Sequence, residues 1–150
     1  IGLIAQESPG DPHRAAAGVE RALADAGLSL DPHCCRFQCK SPADGERAMR
    51  DIWNQRGRPD GVVVSDDMVA RGVGRAVRQL GIRLPDQLRL IAEASDAVTL
   101  DEPVEWTNCQ FEIARTCRAA VALLSRLLRK PEIDHRTVRI RPRLKTGATT

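Results

Sequence analysis

Apolar and polar residues alternate along the chain in a pattern that predicts strands followed by helices. The run from Ile1 to Ala5 is typical of a buried strand. Asp11 and Pro12 then provide a helix N-cap and a first-turn proline, and Gly27 ends the helix. The apolar positions of this helix recur on one face: Val19, Leu23 and Ala26. Together these signals predict a βα unit.

A second unit of the same kind follows. A weaker strand is predicted over 34–38, after which Ser41 and Pro42 open a helix that closes near Gly57. The apolar face of this helix is formed by Ala48, Met49, Ile52 and Trp53. The chain therefore repeats the strand–helix order.

Two further strands complete the regular part of the pattern. The β-branched run 61–65 suits a strand that is buried on both faces, and a helix ending at Gly81 follows it. The apolar residues of that helix are Met68, Val69, Val73, Val77 and Leu80. A fourth strand is predicted from Leu88 to Ala92, with a loop over 94–103. Four strands joined by helices predict an α/β fold with a parallel, right-handed, doubly wound sheet.

The pattern changes after this loop. A short extended piece from Val104 to Cys109 precedes a helix, and a basic strand is predicted from Thr137 to Ile140. The apolar residues of the helix have the spacing of an ordinary core-facing helix: Ile113, Ala120, Leu123, Leu124, Leu127 and Leu128. We expect this tail to leave the first sheet.

Composition narrows the class of protein. The 150 residues suffice for one domain with a core, and 42% of them are apolar without a run long enough to span a membrane. The net charge of +3, from 23 basic and 20 acidic residues, does not indicate direct DNA binding. Five cysteines without a signal peptide favour reduced thiols in the cytoplasm. Because the chain starts inside an apolar run without an initiator Met, we expect it to be a piece of a longer protein.

A series of short motifs then follows in a definite order. They are Gly18 to Leu23 with Ala26 to Leu28, Arg58 to Val64, Asp66 to Gly72, Gly81 to Pro85 with Leu88 to Ile91, Gln110, the helix with Ala119, Ala120, Leu123 and Leu124, and Arg141 to Leu144 with Thr149 and Thr150. Each motif is a few common residues, whereas their number, order and spacing are specific. Over nearly the whole chain this order resembles the C-terminal half of LacI/GalR-family transcriptional regulators.

The resemblance implies both a fold and a function. The fold would be one lobe of a periplasmic-binding-protein-like domain, plus a segment that crosses over to complete the other lobe. Residues 1–150 would then be an effector-binding fragment without its DNA-binding headpiece, and without enzymatic activity, cofactor or membrane contact. A small molecule, sugar-like or a nucleoside, would bind in the cleft between lobes, and the full protein would be a cytoplasmic homodimer that reaches DNA through the headpiece.

Candidate ligand residues come from the carboxyl ends of the predicted strands, where open α/β sheets bind ligands. The family's Asn or Asp after the third strand falls on Asp66, and its crossover glutamine falls on Gln110. Trp106 is a candidate for stacking on an apolar face of the ligand. Each residue also has a structural interpretation: Asp66 as a helix cap, Gln110 as a partner of backbone groups, and Trp106 as a core residue.

Two positions depart from the family pattern. The expected arginine falls on Ala15. Arg14, one residue away, is a candidate ligand residue, although on a helix it would point about 100° elsewhere. The expected aspartate after the fourth strand falls on Ala94, followed by the candidates Ser95 and Asp96. These departures indicate either a different effector or a degenerate pocket that works through protein contacts.

Two other functions remain as alternatives. Asp66 and Asp67 at a strand end could hold Mg²⁺ in a small α/β enzyme, although no nucleophile elbow, P-loop or HExxH motif accompanies them. The chain could also belong to a free-standing solute-binding module, which a secretion signal upstream of Ile1 would indicate.

Three further groups of residues each have a functional and a structural interpretation. His33 with Cys34, Cys35 and Cys39 has metal-ligand residue types but incomplete spacing, so buried thiols are favoured over a metal site. Gly72-Val73-Gly74 begins like a dinucleotide fingerprint, but Val77 occupies the third glycine position and the run lies inside a helix. The alternating basic residues suit a solvated edge strand better than a nucleic-acid strip: Arg139, Arg141, Arg143 and Lys145.

Overall fold

The computed structural model describes residues 1–8, 15–100, 102–129 and 137–150. The strands are β1 (Gly2–Ile4), β2 (Cys35–Arg36), β3 (Gly61–Val64), β4 (Arg89–Ser95), β5 (Thr107–Phe111) and β6 (Arg143–Lys145). The helices are α1 (Ala15–Asp25), α2 (Pro42–Trp53), α3 (Asp67–Gln79) and α4 (Ile113–Arg129), with a short 3₁₀ turn at Pro32–Cys34 before β2. The predicted cap at Asp11 and Pro12 lies outside the described residues.

All six strands belong to one sheet, in the order β2-β1-β3-β4-β5-β6. β1 to β5 run parallel, so that Ile4 pairs with Val64 and Val64 pairs with Ala92. β6 joins the edge of the sheet antiparallel to β5. The predicted α/β fold with a doubly wound parallel sheet is confirmed, with the addition of one antiparallel edge strand.

The tail does not leave the sheet where the sequence suggested. β5 lies beside β4, with Ile91 opposite Thr107, and β6 returns to pair with β5. The predicted strand over 137–140 is wrong, because the strand in this part of the chain, β6, begins six residues later, at Arg143. Arg143 and Lys145 are exposed on this edge and form ion pairs with Glu112 and Glu105.

β4 is longer than predicted. It continues through Ser95, so that Ala94 lies inside the strand and is 3% exposed instead of lying in a loop. Pairing with β5 over Ile91 to Ser95 explains the extension, since hydrogen bonds to a partner strand hold residues that have no strong strand preference of their own.

Two apolar layers cover the faces of the sheet. The larger layer, which we call the α2/α3 core, contains the fully buried residues Met49, Ile52, Val62, Val64, Val73, Val77 and Leu90. The smaller layer packs beneath α1 and contains Leu3, Ala5, Ala16 and Cys35. Val63 points to the α1 side and is only partly buried. The sequence predicts burial of β3 on both faces, and the structure buries it fully on the α2/α3 side and partly on the α1 side.

Helices α2 and α3 pack closely at their glycines. A Cβ atom on Gly72 would lie 1.7 Å from the carbonyl oxygen of Pro42, and one on Gly45 would lie 2.2 Å from that of Val69. A Cβ on Gly74 would meet the carbonyl oxygen of Glu102 at 2.4 Å. The glycines of the Gly72-Val73-Gly74 run thus allow backbones to approach, which accounts for them without a dinucleotide.

Helix α4 has no buried residue among those described. Its apolar side chains face outward, with Val121 63%, Leu124 57% and Leu128 76% exposed. Although its apolar spacing is that of a core-facing helix, α4 thus does not pack on the core formed by the described residues. None of the helices in the described ranges combines the length and apolar character needed to cross a membrane.

Candidate functional site

The carboxyl ends of β1, β3, β4 and β5 lie along one edge of the sheet, as the parallel pairing requires. A groove of about 710 Å³ runs from this edge along the α1 side. Its lining residues are Gln6, Glu7, Ala15, Gly18, Val19, Ala22, Val63, Ser65, Glu93 and Phe111. We call it the carboxyl-edge groove. It lies where open α/β sheets bind ligands.

Asp66 caps helix α3. Its Oδ1 accepts a hydrogen bond from the backbone N–H of Val69 at 2.9 Å, and its backbone is extended, as expected for an N-cap. The neighbouring Asp67 accepts from the backbone N–H of Ser95 at 3.2 Å through Oδ2. The structural interpretation of Asp66 is therefore observed. Its second oxygen has no hydrogen bond to another described residue, and contact with a ligand stays a prediction.

The paired aspartates do not form an evident metal centre. Within the described ranges, no group of three or more His, Cys, Asp or Glu side chains is arranged to hold a metal ion. One carboxylate oxygen of each aspartate is occupied by a backbone N–H group. The geometry therefore gives no support to the Mg²⁺ enzyme alternative.

Ser95, Asp96 and Gln110 also lie at the carboxyl edge. Asp96 accepts a hydrogen bond from the backbone N–H of Ile113 at 3.1 Å and so holds the start of α4. Ser95 is the last residue of β4 and pairs with Phe111. Gln110 pairs with Ala94, which belongs to the α2/α3 core, so its side chain lies on the α2/α3 side of the sheet, opposite the groove. The structure therefore brings these residues to one edge but distributes them over its two faces.

Trp106 does not lie with the other candidates. It precedes β5 and therefore sits at the amino end of that strand, whereas Gln110 is near the carboxyl end, roughly 13 Å away at about 3.3 Å per residue. The Trp106 side chain is 1% exposed, and its Nε1 donates to the carbonyl oxygen of Glu102 at 2.9 Å. Its edge lines a separate cavity of about 280 Å³ that also contains Arg71 and Arg75. The structure contradicts the stacking role and favours the core interpretation.

Arg14 lies outside the described residues, and its predicted contact with ligand stays a prediction. The structure instead adds Glu7 and Glu93 to the groove. Glu93 could have been found from the sequence, since it is the only charged residue inside the apolar run Leu90 to Ala94 and alternation points it away from Ala92 and Ala94. Glu7 follows the end of the first strand, but no motif around it distinguishes it as a site residue.

The electrostatics of the groove are dominated by carboxylates. The pKa of Glu93 is raised above its ordinary value, first by burial and then by the negative charges of Glu7 and Asp66. Burial also raises the pKa of the Cys109 thiol, with the Glu93 charge adding to the effect. Glu7 and Asp66 thus lie near enough to Glu93 to act on it electrostatically, and this cluster of carboxyl groups favours ligands that donate hydrogen bonds or carry positive charge.

The cysteines before the second helix are buried. Cys34, Cys35 and Cys39 are 3%, 9% and 5% exposed, and burial is the largest cause that raises the pKa of each thiol. Deprotonation is therefore disfavoured, as expected for unreactive thiols. The predicted burial of these residues is confirmed.

Comparison with protein families gives one match over the whole chain. The family model described as "Periplasmic binding protein-like domain" covers residues 1–150. Among relatives, the chain is 28% identical over 127 residues to the "Ribose operon repressor" of Haemophilus influenzae, covering 83% of the chain and 38% of that protein. It is also 28% identical over 144 residues to the "HTH-type transcriptional repressor PurR" of Photorhabdus laumondii, covering 95% of the chain and 41% of that protein. The chain thus spans about two-fifths of the length of these relatives.

Solved structures match the fold as a whole. The transcription regulator CcpA of Lactococcus lactis superposes with a TM-score of 0.87 at 21% identity, over 99% of the chain and 55% of that structure. A putative LacI transcriptional regulator from Bacillus cereus subsp. cytotoxis gives a TM-score of 0.90 at 16% identity, over 99% of the chain and 53% of that structure. A LacI-family regulator from Lactobacillus casei with bound sucrose gives a TM-score of 0.82 at 15% identity, over 99% of the chain and 56% of that structure. At these identities the likeness shows the fold alone.

Proposed function

Because the chain belongs to the periplasmic binding protein-like domain family and its relatives are LacI-family repressors, we propose that it binds a small molecule to control operator binding. The ligand would sit in a cleft between this lobe and a second lobe. The observation that carries the proposal is that polar side chains following β1 and β3 and within β4, namely Glu7, Ser65 and Glu93, line the carboxyl-edge groove. Asp66, Gln110, Ser95 and Asp96 would face the cleft, with Glu93 reaching it from the groove.

The proposed ligand is small, polar and rich in hydrogen-bond donors. Carboxylates accept hydrogen bonds only, so Glu93 and the second carboxylate oxygen of Asp66 would bind hydroxyl or ammonium groups and disfavour anions. Solved structures of a LacI-family regulator of similar fold from Lactobacillus casei contain bound sucrose, glucose or Tris, which all carry several hydroxyl groups. These ligands belong to that protein, and they guide the choice of compounds to test with this one.

The exposed apolar face of helix α4 indicates that a second lobe packs against it. Its outward apolar residues, Val121, Leu124 and Leu128, would cost free energy in water and are expected to pack against another surface. We propose that α4 is the crossover segment and that the other lobe of the same protein covers this face. The whole regulator would then act as a cytoplasmic homodimer that binds DNA through a headpiece, because a two-fold operator requires two headpieces.

DNA selection with the full-length protein tests this function. Operator sequences are selected from a random duplex library, and binding is followed by fluorescence anisotropy while sugars, polyols, nucleosides and amines are added. We expect a selected sequence with two related half-sites and at least one compound that changes its affinity by fivefold or more, the usual range of allosteric coupling. Failure to select any sequence, or affinity unchanged by every compound, would refute operator control by a ligand of these classes.

A further inference from the structure

Glu7 is an ionisable residue buried where three elements meet. It follows β1, it is 6% exposed, and both of its carboxylate oxygens accept hydrogen bonds. The backbone N–H of Ala16, near the described start of α1, donates to Oε1 at 3.2 Å, and the Ser65 hydroxyl donates to Oε2 at 3.0 Å. A buried carboxylate is tolerated only with such partners, so these contacts define its position.

Ser65 extends the connection back to β1. Its Oγ accepts a hydrogen bond from the backbone N–H of Gln6 at 3.1 Å, and its own backbone N–H donates to the carbonyl oxygen of Ile4 at 3.0 Å. A continuous path of hydrogen bonds therefore runs from the end of β1 through Ser65 and Glu7 to α1. The path joins residues that are 58 positions apart in the chain.

The same carboxylate acts electrostatically on Glu93. Among the described residues, the ionisable groups that interact electrostatically with Glu93 are Glu7 after β1, Asp66 after β3 and Cys109 on β5. The α1 residues that line the groove beside it are Ala15, Gly18, Val19 and Ala22. Glu7 and Asp66 thus supply the negative charge that this part of the groove places next to Glu93.

We propose that Glu7 is a positioning residue of the ligand site, which holds α1 and the end of β3 to β1 as one unit and places a negative charge beside Glu93. The proposal rests on the proposed function only in taking the carboxyl-edge groove as part of the ligand site. Glu7 would act through its neighbours, since each of its carboxylate oxygens already accepts a hydrogen bond from one of them.

Hydrogen exchange of the full-length protein, measured by mass spectrometry, tests whether the three elements form one unit. Ser65→Ala removes the donor to Glu7 and leaves the contact between Glu7 and Ala16 chemically possible. If Glu7 is held by Ser65, exchange in peptides covering 15–18 becomes roughly tenfold faster, the effect of a weakened hydrogen bond. Glu20→Gln, an exposed change on the same helix, is the matched control and leaves this exchange unchanged. Unchanged exchange at 15–18 in Ser65→Ala would overturn the single-unit claim and reduce Glu7 to a local cap.

Glu7→Gln tests the electrostatic part with little change of shape. The amide oxygen can still accept from Ala16, while the NH₂ group can only donate to Ser65 Oγ, which reverses that hydrogen bond. Titration of the ¹³C-labelled Glu93 side chain, assigned with Glu93→Gln, should move to lower pH in Glu7→Gln, because one repelling charge is gone. A titration identical to that of Glu20→Gln would overturn the electrostatic role. Neither measurement uses a ligand, so their outcome is separate from that of the operator experiment.

Discussion

Replacement of Gly72 by alanine should destabilise the protein strongly. The new Cβ would lie 1.7 Å from the Pro42 carbonyl oxygen and 2.9 Å from the Glu46 nitrogen, both backbone atoms that cannot rotate away. Ordinary contacts begin near 3.4 Å, so α2 and α3 would have to separate by about 1.7 Å. Overpacking of this kind costs about 1–3 kcal/mol and more where backbone resists, while the better helix propensity of alanine returns up to about 1 kcal/mol. Because both clashing partners are backbone atoms, we take the cost to exceed this range, at about 3–4 kcal/mol, and expect a net loss of about 2–3 kcal/mol.

Thermal unfolding measures this loss, and Gly18→Ala is the control. At roughly 2–4 °C per kcal/mol, Gly72→Ala should lower Tm by about 5–10 °C. Gly18 also lies inside a helix, but a Cβ there meets no atom within 4 Å, so alanine should raise stability by up to about 1 kcal/mol. If both variants are equally stable, the close packing of α2 on α3 is incorrect. A loss of nucleotide binding without a loss of stability would instead support the dinucleotide interpretation.

Three further predictions concern the site and α4. The raised pKa of Glu93 means that the folded chain binds its proton more tightly than the unfolded chain does, so this group favours folding at low pH and the benefit is lost as pH rises. Urea unfolding should therefore show Glu93→Gln gaining stability over wild type as pH rises above the ordinary glutamate value of 4.5; a gap independent of pH would contradict this. Asp66→Ala should cost about 1 kcal/mol of unfolding free energy and Asp66→Asn much less, because asparagine also caps helices; equal losses would argue against capping. Leu124→Ser should cost the full-length protein about 2 kcal/mol or more if the other lobe covers α4, and almost nothing if Leu124 stays exposed.

The sequence predicted those elements whose limits are set locally. Ser41 and Pro42 begin α2 as expected, with the Ser41 hydroxyl accepting from the Asp44 backbone N–H. Gly27 and Gly81 adopt positive φ angles of 70° and 64° just after helices end, which is the conformation that glycine favours. These signals depend on a few neighbouring residues and can be read without knowledge of the sheet.

Features set by distant contacts were not predictable in the same way. The extension of β4 through Ser95 depends on β5, and the position of Trp106 depends on where β5 starts. Glu7 acquires its place from Ser65 and Ala16, which no short motif connects to it. The surroundings of α4 were not predictable for another reason, because apolar spacing shows that a helix face packs but does not identify its partner.

Ligand-induced stabilisation of the full-length protein tests the central claim most directly. Tm is measured with a panel of sugars, polyols, nucleosides and amines, for wild type, Asp66→Ala and the exposed control Glu20→Gln, each relative to its own ligand-free value. A ligand that binds only the folded state stabilises it by about 2.7 kcal/mol at a hundredfold excess over Kd. We predict that at least one compound raises Tm in wild type and in Glu20→Gln and does so less in Asp66→Ala. If no compound raises Tm, or if Asp66→Ala responds as strongly as wild type, the proposed ligand site at the carboxyl edge is contradicted.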